Sequence, residues 1–232
     1  RAVQQGQVCP LPLLSGAVSR FGLDRRAHRA DTDPGPWLGA DAAVVAAAHE
    51  AAWTRFRTVL PELVAELRRL RLPVRGPCAL QGVVARRMWH ACRQYHSQFI
   101  TPMAAVAGSV AQELIALYQR EGVSRAWVNN GGDIALHLAP GASVKVGLFA
   151  DLARFDPSMP TLQTDGHFEV QAAMPGRGIA TSGWRGRSFS LGIADSVTVL
   201  ARTAAMADAA ATVTANAVNL HDARIGRRPA NQ

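Results

Sequence analysis

A strand that runs straight into an alanine-rich helix constrains this chain more than any other stretch of its sequence. Residues 196–201, SVTVLA, read as a strand, and ARTAAMADAAATVTANAVN (201–219) follows with no room for a long loop. Alanine is the best helix former and loses no side-chain entropy, so residues 203–218 are predicted to be helical. Small side chains on such a helix let another backbone or a ligand come close. Within it, Asp208 and Thr212 lie four residues apart and therefore share a face, about one turn from each other. A carboxylate and a hydroxyl stacked in this way are hard oxygen donors, suited to Mg²⁺ or Ca²⁺ rather than zinc. Spacing alone favours a plainer reading, in which Asp208 caps or solvates the helix and Thr212 bonds back to a carbonyl. The metal reading needs support from the rest of the chain.

With 232 residues, 48% of them hydrophobic and 18% charged, the chain can bury a good core and is expected to form one unit over 1–232. The motif-bearing part runs from about 100 to 220. No uncharged apolar run reaches the roughly 18 residues of a membrane-spanning helix. Cys9, Cys78 and Cys92 lack CxxC spacing and give neither a disulfide framework nor a zinc ribbon. That favours a reducing compartment and a cytoplasmic location, with the periplasm left open because the chain opens on Arg1 rather than on methionine. The net charge of +8 is carried almost entirely by arginine, Lys145 being the only lysine. Together with the abundant alanine this reads as genome composition, and no basic stripe interleaved with aromatics accompanies it. No nucleic-acid partner is expected. A basic pocket for a phosphorylated or anionic ligand remains reasonable.

Taken in order, residues 11–14 and 17–23 are short apolar pieces fit for one or two edge strands, and DTDPGPWLG (31–39) is a turn cluster. Residues 40–72 read as helix, with Asp41 as N-cap and Pro61 as a kink or second start. Leu60, Leu63, Val64, Leu67 and Leu70 keep the helical period there. A second helix is expected over 82–96. On it His90, Cys92 and His96 point in three directions and cannot converge on one ion. The remaining histidines are scattered and no GxSxG elbow accompanies them, which leaves a Ser-His hydrolase without support. Thr101 and Pro102 look like the cap and first turn of a helix ending near Gly122. Strands are expected at 125–130, 134–138, 143–149 and 167–172, the first two joined by a tight turn at Asn130-Gly131-Gly132-Asp133.

GIATSGWRGRSFS (178–190) is rich in glycine and hydroxyls and precedes the final strand and helix. Three glycine-containing turns thus fall near strand ends: Gly131-Gly132, Thr181-Ser182-Gly183 and Arg185-Gly186-Arg187-Ser188. Successive N–H groups in such turns form anion nests, and Ser, Thr and Arg side chains add donors for phosphate. Any one of them alone is as well explained as a plain hairpin turn; three in the same half of the chain are harder to dismiss. Neither GxGxxG nor GxxxxGK[ST] occurs, so there is no Rossmann fingerprint and no P-loop.

VNNGGDIAL (128–136), ATSG (180–183) and VTVLARTAAMADAAAT (197–212), in this order, resemble the ApbE superfamily, whose best-known members are Mg²⁺-dependent FAD:protein FMN transferases. With TPMAAVAGSVA (101–111) and SFSLGIADSVTVLA (188–201) added, the chain is most similar to the shorter bacterial and archaeal branch of that superfamily. The resemblance covers about residues 101–219. It implies an α+β fold, related to T-folds, of mixed or antiparallel sheets flanked by helices with the ligand site between the layers. It implies Mg²⁺ at Asp208 and Thr212, completed by a backbone carbonyl near Val106 or Ala107. It implies a nucleotide pocket, for FAD or FMN, lined by Asn130, Gly131, Gly132 and Asp133 and by Thr181, Ser182 and Gly183, with Arg187 and Ser188 beyond. Two positions depart from the transferases. Val106-Ala107-Gly108 stands where they carry Ala-Lys-Gly, and LGIAD (191–195) where they carry His-x-x-Asp-Pro. Arg185 and Arg187 are the candidate substitutes for the missing positive charge. The expected function is therefore binding of a flavin or other phosphate-bearing nucleotide with Mg²⁺, extending to flavin transfer or hydrolysis. The alternative is a non-catalytic ligand-binding or redox-maturation accessory protein. A homodimer packed through the alanine-rich helices is also compatible with the sequence.

Overall fold

Asn130, Gly131, Gly132 and Asp133 form the hairpin that the sequence predicts, and the main sheet grows outward from it. In the computed structural model, which describes residues 19–22, 38–148, 166–184, 190–220 and 222–226, strands β2 (Arg125–Asn130) and β3 (Asp133–Leu138) pair antiparallel with Asn130 opposite Asp133. The two-residue loop has φ of 72° at Gly131 and 110° at Gly132. Tight hairpin turns of the primed type need such positive values, and glycine reaches them without steric cost. The edge strand expected within 17–23 is β1 (Ser19–Gly22), paired with β2.

Ser143–Leu148 (β4) and Gly166–Gln171 (β5) form a separate antiparallel pair. Gly178–Ser182 form a strand, β6, lying between β3 and the last strand β7 (Val197–Ala201), so Thr181 and Ser182 of the expected Thr181-Ser182-Gly183 turn belong to a strand instead. The five-stranded order is β1-β2-β3-β6-β7, and every pairing is antiparallel.

Strand alternation divides this sheet into two faces. Ala126, Val128 and Ala135 point to the helical side, as does Ala180, while Trp127, Ile134, Leu136, Leu138 and Ile179 point away. The second face is covered by the β4–β5 pair through Val144, Val146, Phe168 and Val170. The first face carries α4 (Val106–Ile115) over β2 and β3, and α5 (Ala204–Ala217) over β6 and β7. Behind these lie α1 (Leu38–Ala65) and α3 (Val83–Arg93). The molecule is an α+β protein with its helices on one side of the main sheet.

Three boundaries differ from expectation. Asp41 lies inside α1, three residues past its start, and so is no N-cap. Pro61 sits within α1 without ending it; the break falls at Glu66, before the single turn α2 (Leu67–Leu70). The Glu66 carboxylate accepts from Gln81 N–H (2.8 Å) and Gly82 N–H (2.7 Å), serving as an acceptor at the start of α3, where four backbone N–H groups lack helical partners. Thr101 does precede a helical turn, Pro102–Ala105, but its side chain makes no capping bond. Across the back layer, Arg55 of α1 and Arg87 of α3 both hold Glu113 of α4, each at 2.8 Å. Arg55 also pairs with Glu62. The two guanidinium groups hold the Glu113 carboxyl below its usual range despite the opposing effect of burial.

Candidate functional site: an acidic cleft between sheet and helices

Thr203 starts α5 as the sequence suggests: its hydroxyl accepts from Met206 N–H at 3.3 Å, and only Arg202 separates it from β7. The first turn of α5 is then gripped between two other backbones. A Cβ added at Gly108 would stand 2.2 Å from Ala204 O and 2.8 Å from Asp208 Cβ, and one at Gly178 would stand 2.1 Å from Ala204 N. Nothing larger than hydrogen fits at either position, so α4, α5 and β6 meet with their backbones nearly in contact.

This crossing positions Asp208. Its Oδ2 accepts from Gly108 N–H at 2.8 Å, and Ala107 N–H also bonds to the carboxylate. These are orphan donors of the first turn of α4, so Asp208 caps a neighbouring helix rather than its own. The plain reading, in which Asp208 caps the alanine-rich helix that carries it, does not hold: Thr203 caps α5, and Asp208 serves α4. Asn130, on the helix-facing side of β2, donates through Nδ2 to Ala107 O at 3.2 Å. Asp133 stands at the start of β3 on the same side of the sheet, where Thr181 N–H bonds to its carboxylate.

Asp133 and Asp208 are thereby brought into one partly buried cleft. Burial raises the carboxyl pKa of both, and for Asp133 the charge of Asp208 adds to the rise. The bonds from Gly108 and Ala107 oppose the rise at Asp208, and that from Thr181 opposes it at Asp133, without cancelling it. Among the described residues no arginine, lysine or histidine forms an ion pair with either carboxylate. Cys92 borders the same region: burial, then the charge of Asp208, pushes its thiol up to about 12, so it is an inert neighbour rather than a nucleophile.

The other residues read from the sequence divide. Thr212 lies one turn beyond Asp208 on α5 and is partly buried. Ser182 and Gly183 are buried at the end of β6. The Thr181 side chain, by contrast, points to the opposite face of the sheet, bonded to Thr198 Oγ1 at 2.9 Å, so Thr181 offers the cleft its backbone alone. Gly132 N–H is already committed to Asn129 Oδ1 at 2.9 Å, which narrows the anion-nest capacity expected of that turn. Arg185, Arg187 and Ser188 lie outside the described residues.

The candidate donor groups are oxygens: the two carboxylates, and the Ala107 carbonyl that accepts from Asn130, with Thr212 one turn beyond Asp208 on α5. Among the described residues no three or more His, Cys, Asp or Glu side chains come together as a metal cage. A cation here would rest on carboxylate plus neutral oxygen, the chemistry of Mg²⁺ and not of zinc. The pairing of Asp133 with Asp208 was not legible in the sequence as a carboxylate pair; the GGD turn was the one local hint.

The fold and the cleft define an α+β protein whose candidate site lies between the main sheet and a layer of small-residue helices. The chain belongs to the family described as AbpE bacteria, whose sequence model matches residues 23–232. Among curated relatives it is similar to a UPF0280 protein of Methanospirillum hungatei, 38% identical over 124 residues, which cover 53% of this chain and 47% of that one. A UPF0280 protein of Methanothrix thermoacetophila is 36% identical over 136 residues (58% and 52%), and one of Methanothermobacter thermautotrophicus 36% identical over 138 residues (59% and 49%). The chain spans about half the length of the archaeal relatives it matches. Among the described residues no helix is long and apolar enough to cross a membrane.

Proposed function

We propose that this protein binds a phosphate-bearing nucleotide, a flavin first among them, together with Mg²⁺ held by Asp208 and Thr212, and that it processes the flavin by transfer or hydrolysis. The observation that carries this reading is the carboxyl pair. Two acidic groups share a partly buried site and, among the described residues, no cationic side chain is paired to either, at a place where the helix face, the hairpin turn and the end of β6 converge. A divalent cation relieves that repulsion and, once bound, supplies the positive charge that neutralises a pyrophosphate. The chain's own contributions are to hold Asp208 in place through Gly108 N–H, to orient Asn130 on Ala107 O, and to present the Ser182–Gly183 backbone to the ligand. Arg185 and Arg187, which follow Gly183 closely in sequence, are the candidate phosphate partners. Supporting this reading are the ApbE-like motifs and the family match.

A second reading, a non-catalytic binding or accessory protein, is favoured by the absence of a lysine at Val106-Ala107-Gly108 and of a histidine in residues 191–195. Titration with FAD, with and without Mg²⁺, followed by chromatography of the nucleotides separates the two. Mg²⁺-dependent binding with release of FMN or AMP supports the enzyme, whereas binding without products supports the accessory protein. No binding, or Mg²⁺ affinity that survives Asp208→Asn, refutes the site.

A further inference from the structure

We propose that the outer surface built by residues 67–100 seats this protein on an anionic lipid bilayer. The stretch contains seven arginines, and no acidic residue occurs between Glu66 and Glu113. Three of the seven are engaged within the fold, Arg87 with Glu113, Arg69 with Ala79 O and Arg93 over the Trp89 ring at 5.6 Å. Arg71, Arg75, Arg86 and Arg93 are exposed. On α3 the exposed residues Val83, Arg86, His90 and Arg93 recur at helical spacing, which makes them one outward stripe. The loop that holds Leu72 and Arg75 returns beside the end of α3, where Val74 N–H donates to Ile100 O at 2.9 Å. Leu72 and Phe99, 57% and 77% exposed, therefore stand on adjoining loops, with exposed Arg71 and Arg75 next to Leu72 along the chain.

Large apolar tips among exposed arginines, on a stretch whose sequence carries no carboxylate between Glu66 and Glu113, call for an anionic occupant that is apolar just beneath its surface. A bilayer has that layering. Phenylalanine and leucine enter the headgroup–acyl boundary while arginine stems lie along it and their heads reach the phosphates. A second copy of this chain would bring arginine against arginine. A single-stranded nucleic acid would stack on several aromatics, and Phe99 is the only exposed Phe, Tyr or Trp in the stretch, while a duplex would engage the arginines and give Leu72 and Phe99 no apolar layer to enter.

The test is co-sedimentation of the full chain with phosphatidylcholine vesicles made with and without phosphatidylserine. The expected result is partitioning that requires phosphatidylserine and falls with added salt. Arg71→Ala and Arg75→Ala should each lower it about fivefold, and Phe99→Ser about tenfold. Leu72→Ser is the parallel variant, and unchanged thermal melts of all four exclude misfolding as the cause. No phosphatidylserine-dependent partitioning overturns the proposal, as does partitioning that all four variants leave unchanged. Self-association abolished by Phe99→Ser, or duplex DNA bound more tightly than the vesicles, likewise overturns it in favour of another occupant.

Discussion

Replacing Gly108 by alanine tests the helix crossing on which the cleft depends. The new Cβ would lie 2.2 Å from Ala204 O, 2.7 Å from Ala204 C and 2.8 Å from Asp208 Cβ. Real Cβ atoms essentially never come within 3.0 Å of such neighbours, so α4 must withdraw from α5 by about 1 Å, the obstacle being rigid backbone. Two effects oppose each other. Alanine favours the helix over glycine by about 0.5–1 kcal/mol. Against that, overpacking costs about 1–3 kcal/mol, and stretching the charge-assisted bond from Gly108 N–H to Asp208 costs about 1–2 kcal/mol more. The clash wins, and the net loss is about 2–4 kcal/mol, or roughly 5–15 °C in Tm for a chain of this size. Thermal unfolding followed by circular dichroism reads it. Gly166→Ala is the control, because its Cβ would meet only Leu148 Cδ1, at 3.9 Å. If Gly108→Ala melts with or above the parent while Gly166→Ala is neutral, the backbones do not cross as closely as described.

Three further outcomes are expected. Metal-free protein should lose stability as pH rises from about 4 towards about 8. Asp208 and Asp133 have folded pKa values raised to about 7 and about 8, so between the unfolded and folded values the native state holds protons the unfolded chain has released. Urea midpoints that stay flat or rise across that range would contradict the buried pair, and saturating Mg²⁺ should flatten the fall if the proposed ion site is right. Glu113→Gln strips Arg55 and Arg87 of a shared partner in the back layer and should cost about 1–3 kcal/mol, read as a lower urea midpoint with cleft affinities unchanged. Glu66→Ala uncaps α3 and should cost about 0.5–2 kcal/mol, with faster hydrogen exchange at the Gln81 and Gly82 amides; unchanged protection there would show that the carboxylate does not hold them.

What the sequence disclosed was local. The double glycine between two alternating runs specified the β2–β3 hairpin, and Thr203 before a run of alanines specified the start of α5, because turn and cap chemistry act over a few residues. The shared face of Asp208 and Thr212 followed from helix geometry alone. Strand β6 was hidden because its small residues and leading glycine look like turn. They are small for another reason, since Gly178 must admit the backbone of Ala204, which arrives from a separate part of the chain. Pro61, a kink or a second start by sequence, starts no new helix within α1, and the helix ends at Ala65, next to Glu66, whose carboxylate is committed to an amide 16 residues further on. Asp133 joins Asp208 through sheet order, with β6 set between β3 and β7, and no local pattern announces that order.

Gly108 and Asp208 meet across 100 residues of chain. Contacts so distant in sequence close slowly and form late in folding. Until α5 docks, the Ala180 and Val199 side of β6 and β7 stays wet, and an interrupted chain offers apolar strands to its neighbours. Assembly of the acidic site and completion of folding are thus a single event here. A truncation ahead of Ala204 would yield an aggregation-prone fragment rather than a protein that merely lacks Asp208.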